Sequence, residues 1–387
     1  QKLEITFLNR LIRGLAARGV GVLIAAQHPR RIEKTFAEGV RALRTAPIKG
    51  TLPRQALDLL RLGYLCLFSS RRRWLINQVK GAAGWKNKLG TFLRYASFCH
   101  GDFDLVYFPW NAAAVAYRGL FNLGKPVVIS CRGSQVNIRP HLPGQGEYTA
   151  GLQATLQRAA AVHCVSADIQ REAQQFGLDP AMSTVIRPAV NPDFFKPPET
   201  PLQNKRFRLI TTGSLIWRKG YEYLLIGLKR LVDKGIDVEL HILGKGPMAQ
   251  QIRFTIQDLG LEDRVHLHGR VSPEVVRDTL QRSDVFVLAS LSEGIANAAL
   301  EAMSCGLPVV TTDCGGMAEA VRDGVEGFRL PLRDPAAMAD ALQRLAGDPA
   351  LRAAMGRAGR RRVLERFSLD RQVAEFITLF ERTQSQQ

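Results

Sequence analysis

Apolar side chains along this 387-residue chain recur at two spacings, and the spacing changes along the sequence. Phe7, Leu8, Leu11, Ile12, Leu15 and Ala16 share one face of a 3.6-residue period, which predicts a helix ended by Gly19. Leu3, Ile5 and Phe7 also alternate as a strand would, so the first turn reads both ways. Val20–Ala26 is a strand-like run. No clear strand stands ahead of the helix, and an initial strand and loop are expected to be missing from the chain. Residues 30–100 are the least regular part, with one leucine-rich helix expected at Arg54–Phe68. From residue 102 short apolar runs alternate with helical periods. Strands are expected at Leu105–Phe108, Val127–Cys131, Ala161–Val165 and Thr184–Ile186. Helices are expected between them, near 112–120, 151–159 and 167–176.

The proline-rich segment Lys196-Pro197-Pro198-Glu199-Thr200-Pro201 breaks this series. A second series follows, with strands expected at Phe207–Thr212, Val238–Leu243, Val265–His268, Val285–Ala289, Pro308–Thr312 and Gly327–Leu330. Helical periods fill the intervals, and an amphipathic helix at Leu369–Phe380 closes the chain. Strand–helix alternation predicts an α/β protein with doubly wound parallel sheets. The expected division is a domain over 1–195, a linker over 196–204, a domain over 205–367, and a helix with tail over 368–387.

Composition refines this picture. The chain is too long for one ordinary core, which favours two domains. No run of eighteen uncharged apolar residues occurs, so no span is expected. Lys2-Leu3-Glu4 opens an amphipathic segment, unlike a signal peptide. Six cysteines lie scattered without a C-x-x-C pair, which points to reduced thiols in a cytoplasm and away from zinc. The net charge of +18 is uneven, with +15 carried by residues 1–100. Such a patch suits anionic lipid, a lipid-phosphate acceptor, a polyanionic glycan or nucleic acid, and an ordinary solvated face accounts for it as well. Leucines and aromatics beside Arg71-Arg72-Arg73-Trp74 and Trp85-Lys86-Asn87-Lys88 have the composition of an interfacial helix, so residues 54–88 are the expected contact with an anionic membrane surface. A helix covering its own sheet would show the same leucines.

Candidate chemistry gathers in Ser292–Cys314. A buried-strand run leads to Glu293-Gly294, a small-residue helix is expected at Ile295–Ser304, Gly306 ends it, and a second strand leaves. A helix start after glycine offers free N–H groups and the positive dipole end, which suits a phosphate. Glu301 is the sole charge between Gly294 and Pro308, and a ligand's vicinal hydroxyls would supply its hydrogen-bond donors. This pattern points to a nucleoside-diphosphate sugar. Five further strand ends are candidates beside it. Gly213-Ser214-Leu215-Ile216-Trp217-Arg218-Lys219-Gly220 sets Lys219, with Arg218, to neutralise a diphosphate without a metal. Gly244-Lys245-Gly246-Pro247 lacks the third glycine of a dinucleotide fingerprint. His268-Gly269-Arg270-Val271 could lie beside a base, and Cys131-Arg132-Gly133 lets a ligand approach while Arg132 faces a cleft. Phe108-Pro109-Trp110-Asn111 could wall an acceptor cleft. Taken singly, each is also an ordinary turn or an exposed basic residue.

In order, these motifs resemble the retaining nucleotide-sugar glycosyltransferases of family 4, whose GT-B fold has two facing Rossmann-like domains. The resemblance is strongest over 205–330. It rests on Glu293 with Glu301, Gly213 with Arg218-Lys219-Gly220, Gly244-x-Gly246, His268-Gly269 and Ala302-x-x-x-Gly306-x-Pro308-Val309-Val310. It implies that Glu301 holds the ribose, Glu293 contacts the transferred sugar, and the backbone of Gly294, Ile295 and Ala296 receives the phosphates. It implies Lys219 on the diphosphate, Arg270 and Val271 at the base, Gly213, Ser214, Arg218 and Gly244 around the donor, and Arg132, Gly133 and Trp110 on the acceptor side. The last helix would cross back to the first domain. Many relatives carry arginine where Ser214 stands, and histidine where Arg132 stands.

The implied reaction moves a sugar, from UDP by default, to a hydroxyl of a glycan or polyprenyl-linked lipid acceptor with retention. No metal or other cofactor is expected, nor nucleic acid as partner, since aromatics do not interleave regularly with the basic residues, and a nucleic-acid binder leaves the glutamate pair unexplained. A glycoside hydrolase is disfavoured: eight helical steps separate Glu293 from Glu301 by roughly 12 Å, beyond the ~5–9.5 Å of a hydrolytic pair. A UDP-sugar epimerase of the same fold and a non-catalytic binding protein are the alternatives. The expected setting is cytoplasmic, on the inner face of a bacterial plasma membrane, in assembly of an envelope glycan.

Overall fold

The computed structural model describes residues 6–26, 36, 39–45, 60, 63–64, 66–200 and 204–386. The chain forms two compact units. One comprises Gln1–Cys164, Gln170–Ile186 and Val373–Gln387; the other comprises Val165–Ile169 and Arg187–Gln372.

In the first unit, helix Thr6–Ala17 precedes strands β1 (Val22–Ala26) and β2 (Val40–Arg44), which pair in parallel. A separate parallel sheet holds β3 (Val106–Phe108), β4 (Val127–Cys131), β5 (Ala161–Cys164) and β6 (Ser183–Val185) in sequential order. All five residues of β4 are buried, as the continuous Val-Val-Ile run requires of a strand covered on both faces. Strand β2 was not expected, because Val40-Arg41-Ala42-Leu43-Arg44 is broken by two arginines. Most of the helix expected at Arg54–Phe68 lies outside the described residues. Beyond it stand helices Arg72–Lys80 and Trp85–Tyr95.

The second unit holds a six-stranded parallel sheet of β7 (Phe207–Thr212), β8 (Val238–Leu243), β9 (Val265–Gly269), β10 (Val285–Leu288), β11 (Val309–Thr312) and β12 (Gly327–Leu330). Their spatial order is β12-β11-β10-β7-β8-β9. The order reverses between β7 and β10, which is where a doubly wound sheet opens its ligand crevice at the strands' carboxyl ends. Side chains alternate across the sheet. Leu209, Leu240, Ile242, Val285 and Val287 pack with helices Tyr221–Asp233, Ala249–Asp258 and Pro335–Gly347. Ile210, Leu243, Phe286 and Leu288 pack on the other face with Leu280, Leu300 and Met303.

The expected linker at 196–204 starts later than the change of unit. Residues from Arg187 onward already belong to the second unit, because Phe195 is buried in its core. Arg360 Nη1 also donates to the carbonyls of Pro192 and Phe195, each at 2.9 Å. The closing helix, Leu369–Ser385, begins in the second unit and continues into the first. There Phe376 sits edge-on to His163, with ring centres 4.7 Å apart, and to Tyr107 at 5.7 Å.

Candidate active site

Five loops leave the carboxyl ends of β7, β8, β9, β10 and β11, and backbone hydrogen bonds stitch the first four together. Gly213 N donates to Leu243 O at 2.9 Å, Gly244 N to Gly269 O at 2.7 Å, and Leu215 N to Lys245 O at 3.1 Å. The Gly213, Gly244 and Gly269 motifs, scattered in sequence, are therefore consecutive in space. A side chain at Gly244 would run into the Gly213 carbonyl, so this glycine serves the close approach of two loops.

The switch point between β7 and β10 holds the central pair. Leu291 N donates to Arg218 O at 2.7 Å, fastening the loop after β7 to the exit of β10. Lys219 ends the short turn Trp217–Lys219, and its Nζ bonds Glu293 Oε1. Ser290 Oγ donates to the same carboxylate oxygen at 2.7 Å. Both charged side chains are nearly enclosed, at 12% and 9% exposure, so each depends on the other for compensation. A Cβ on Gly213 would stand 3.4 Å from Lys219 Cε and 3.7 Å from the Tyr221 hydroxyl. Burial first, and then the neighbouring Glu293 charge, push the Tyr221 hydroxyl pKa up. Burial chiefly pushes Cys314 up to about 12, and it too stands within the field of Glu293 and Lys219.

The helix after Glu293 runs Asn297–Ser304, two residues later than expected. Ala296 caps it with extended backbone, φ −76° and ψ 113°. Gly294, Ile295 and Ala296 therefore form the approach to the helix and not its first turn, and the helical count from Glu293 to Glu301 does not apply. Ala296 N–H points at Met317 Sδ, 3.4 Å away, a weak acceptor. Glu301 lies inside the helix, half-buried, and its charge adds to the burial that raises Cys305 to about 12. Arg270 and Val271 follow β9, the edge strand two places from β7. Their link to the centre passes through the Gly244–Gly269 bond.

Residues outside the expected set also shape this site. Ser290 orients Glu293, and side chains on Gly315 or Gly316 would overlap the carbonyls of Glu293 and Gly294. The Gly-Gly pair after β11 was a visible turn signal. Ser290 offered none, because its partner depends on how the strand ends.

In the first unit, Arg132, Gly133 and Trp110 do gather. Arg132 Nε donates to Pro109 O at 3.0 Å and its Nη2 to the Tyr107 hydroxyl at 3.2 Å. The guanidinium lies 4.6 Å from the Phe7 ring centre, and Phe7 meets Trp110 edge-on at 6.0 Å. Gly133, at φ 115°, caps the short helix Ser134–Asn137. Tyr107 continues the network through Ser130 Oγ at 2.7 Å to His163 Nδ1 at 2.5 Å, while His163 Nε2 meets Ile186 O at 2.8 Å. The basic segment divides. Arg71 turns inward to the carbonyls of Phe98 and Gly101, and Trp74 donates to Gly119 O at 3.1 Å. Both serve the unit's own packing. Leu60, Tyr64, Leu67, Phe68 and Trp85 are exposed, as are Arg72 and Arg73.

Residues 193–362 match the profile of the group 1 glycosyl transferases, and residues 6–194 match that of glycosyltransferase family 4. The chain belongs to these glycosyltransferases. It is 24% identical over 374 residues to an alpha-D-kanosaminyltransferase of Streptomyces kanamyceticus, covering 90% of this chain and 91% of that protein. It is 32% identical over 167 residues to the amylovoran biosynthesis glycosyltransferase AmsK of Erwinia amylovora, covering 42% of this chain and 41% of that one. The crystal structure of Anabaena HepE in complex with UDP matches at a TM-score of 0.70 and 18% identity, covering 96% of this chain and 95% of that chain. The two Rossmann-like units are those of the GT-B glycosyltransferases. Among the described residues no helix is long and apolar enough to cross a membrane.

Proposed function

We propose that this glycosyltransferase takes its sugar from a nucleoside diphosphate, UDP by preference, and transfers it with retention to a hydroxyl of a glycan or lipid-linked acceptor. The observation that carries this reading is the Lys219–Glu293 pair at the switch point, beside the approach to helix Asn297–Ser304. Negative charge grows on the leaving diphosphate as the glycosidic bond breaks. Lys219, the N–H groups of Gly294, Ile295 and Ala296, and the positive end of the helix would receive it. The weak Met317 contact at Ala296 yields readily to a phosphate oxygen. Glu293 would contact the sugar and Glu301 the ribose, while Gly213, Ser214, Arg218 and Gly244 line the donor and Arg270 and Val271 hold the base. Arg132, Gly133 and Trp110 serve the acceptor. With the acceptor attacking on the face the diphosphate leaves, a phosphate oxygen takes its proton. This scheme needs no metal.

The UDP bound in HepE supports uridine as the base, and the amylovoran role of AmsK supports an exopolysaccharide acceptor. All six cysteines are free and buried, which suits a reducing compartment. The exposed apolar side chains beside Arg72, Arg73, Lys86 and Lys88 support docking on an anionic membrane surface.

Incubation with a panel of nucleotide sugars, with and without membrane lipid extract, tests the reading. Transfer to lipid or glycan supports it. Release of free sugar alone, or interconversion of donors without an acceptor, overturns it in favour of a hydrolase or an epimerase. Flotation with anionic liposomes should be salt-sensitive; equal binding to neutral vesicles would remove the membrane element.

A further inference from the structure

The second unit carries a group of ligand-type side chains that donor chemistry leaves unused. Leu240 and Ile242 point into the core, so Glu239 and His241 share the opposite face of β8. In the pairing with the edge strand β9, His241 stands directly beside His266. His241 Nε2 is 3.4 Å from Glu239 Oε1, and His266 Nε2 is 3.8 Å from Glu239 Oε2. The ligand atoms of all three residues lie within 4.8 Å of one another. An ion with tetrahedral ligands at about 2.0–2.1 Å separates its ligand atoms by about 3.3 Å, so small side-chain rotations close the set.

Two outer contacts already orient these ligands. Arg208 Nε donates to Glu239 Oε1 at 2.5 Å, and His268 Nε2 meets His241 Nδ1 at 2.8 Å. The second contact leaves His241 Nε2 directed at the carboxylate. Outer partners of this kind hold imidazole and carboxylate ligands at metal sites. We propose that Glu239, His241 and His266 bind a divalent transition-metal ion of the zinc class, with water in the fourth position. Two imidazoles and one carboxylate favour such an ion over calcium or magnesium, which take oxygen ligands. Arg208 tempers the carboxylate's charge and so weakens the site relative to one with an unpaired glutamate. The ion ties edge strand β9 to β8, and the inference stands independently of the donor reading.

The test is calorimetric titration of Zn²⁺ into the full chain, untagged and stripped with a chelator. One saturable equivalent is expected, and zinc should raise the melting temperature. His266 is 41% exposed at its side chain, so His266→Ala should fold as the parent does, checked by melting without metal. It should weaken zinc binding at least tenfold and abolish the thermal shift, and His268→Ala should weaken binding about tenfold. Absence of saturable binding overturns the proposal. So does zinc binding unchanged in both His241→Ala and His266→Ala, which would assign it to other side chains, and so does a preference for Mg²⁺ over Zn²⁺.

Discussion

Lys219 and Glu293 are 74 residues apart in sequence and bonded in the fold. Each is nearly enclosed, so removing one leaves the other uncompensated. Lys219→Ala is expected to lower kcat by about 10²–10³-fold, the scale of losing one preorganised donor to developing negative charge. Steady-state kinetics with the active donor measure it, and an effect confined to KM would assign Lys219 to ground-state binding alone. His163 lies at the other extreme, buried and held by Ser130 and Ile186 O. Burial, then the nearby Arg132 charge, push its pKa down to about 3. The unfolded imidazole titrates near 6.5. Its neutral form therefore contributes stability that is complete above pH 6.5 and is lost as pH falls toward 3. The slope for this one group is about 1.4 kcal/mol per pH unit. Urea unfolding of the parent and of His163→Gln at pH 7 and pH 5 should show a shallower loss in the variant; parallel losses would assign the acid sensitivity to other groups.

At the scale of elements, several of the site's loop approaches leave no room for a Cβ. Gly316 faces the Gly294 carbonyl and Ser166, and Gly244 faces the Gly213 carbonyl. Gly316→Ala and Gly244→Ala must push backbone apart, so each should cost about 1–3 kcal/mol and cut donor affinity. Thermal melting and donor titration report both effects, and a neutral substitution would show that these loops yield. These glycines were readable as turn signals, and the strands they follow were readable from continuous Val, Ile and Leu runs. The later start of helix Asn297–Ser304 was not. Ile295 and Ala296 fit a helical pattern, but both are buried against the core in the non-helical approach. Strand β2 and the inward turn of Arg71 and Trp74 were missed because charged and aromatic residues were read as surface.

For the whole molecule, a nucleotide that binds one unit stabilises that unit by mass action. UDP at a hundredfold its dissociation constant should add about 2.7 kcal/mol to the second unit's unfolding. Glu301→Ala should abolish that gain in scanning calorimetry; a variant that keeps it would withdraw Glu301 from the ribose. Two compact units make separate transitions a reasonable frame for the measurement.

The chain's own pattern determined the α/β class, the two strand–helix series, the motif loops and the glycosyltransferase resemblance, because periodicity and turn residues are local properties. Tertiary structure decided the partnerships. The strand order set β7 beside β10, so that Lys219 meets Glu293, whose carboxylate also accepts from Ser290. It also laid β9 beside β8, so that His266 meets His241 and Glu239. Residues that share a face of neighbouring strands can lie at any distance along the chain, and no spacing rule reveals them. The same holds for the Arg132–Tyr107–Ser130–His163 network, which three separate segments assemble.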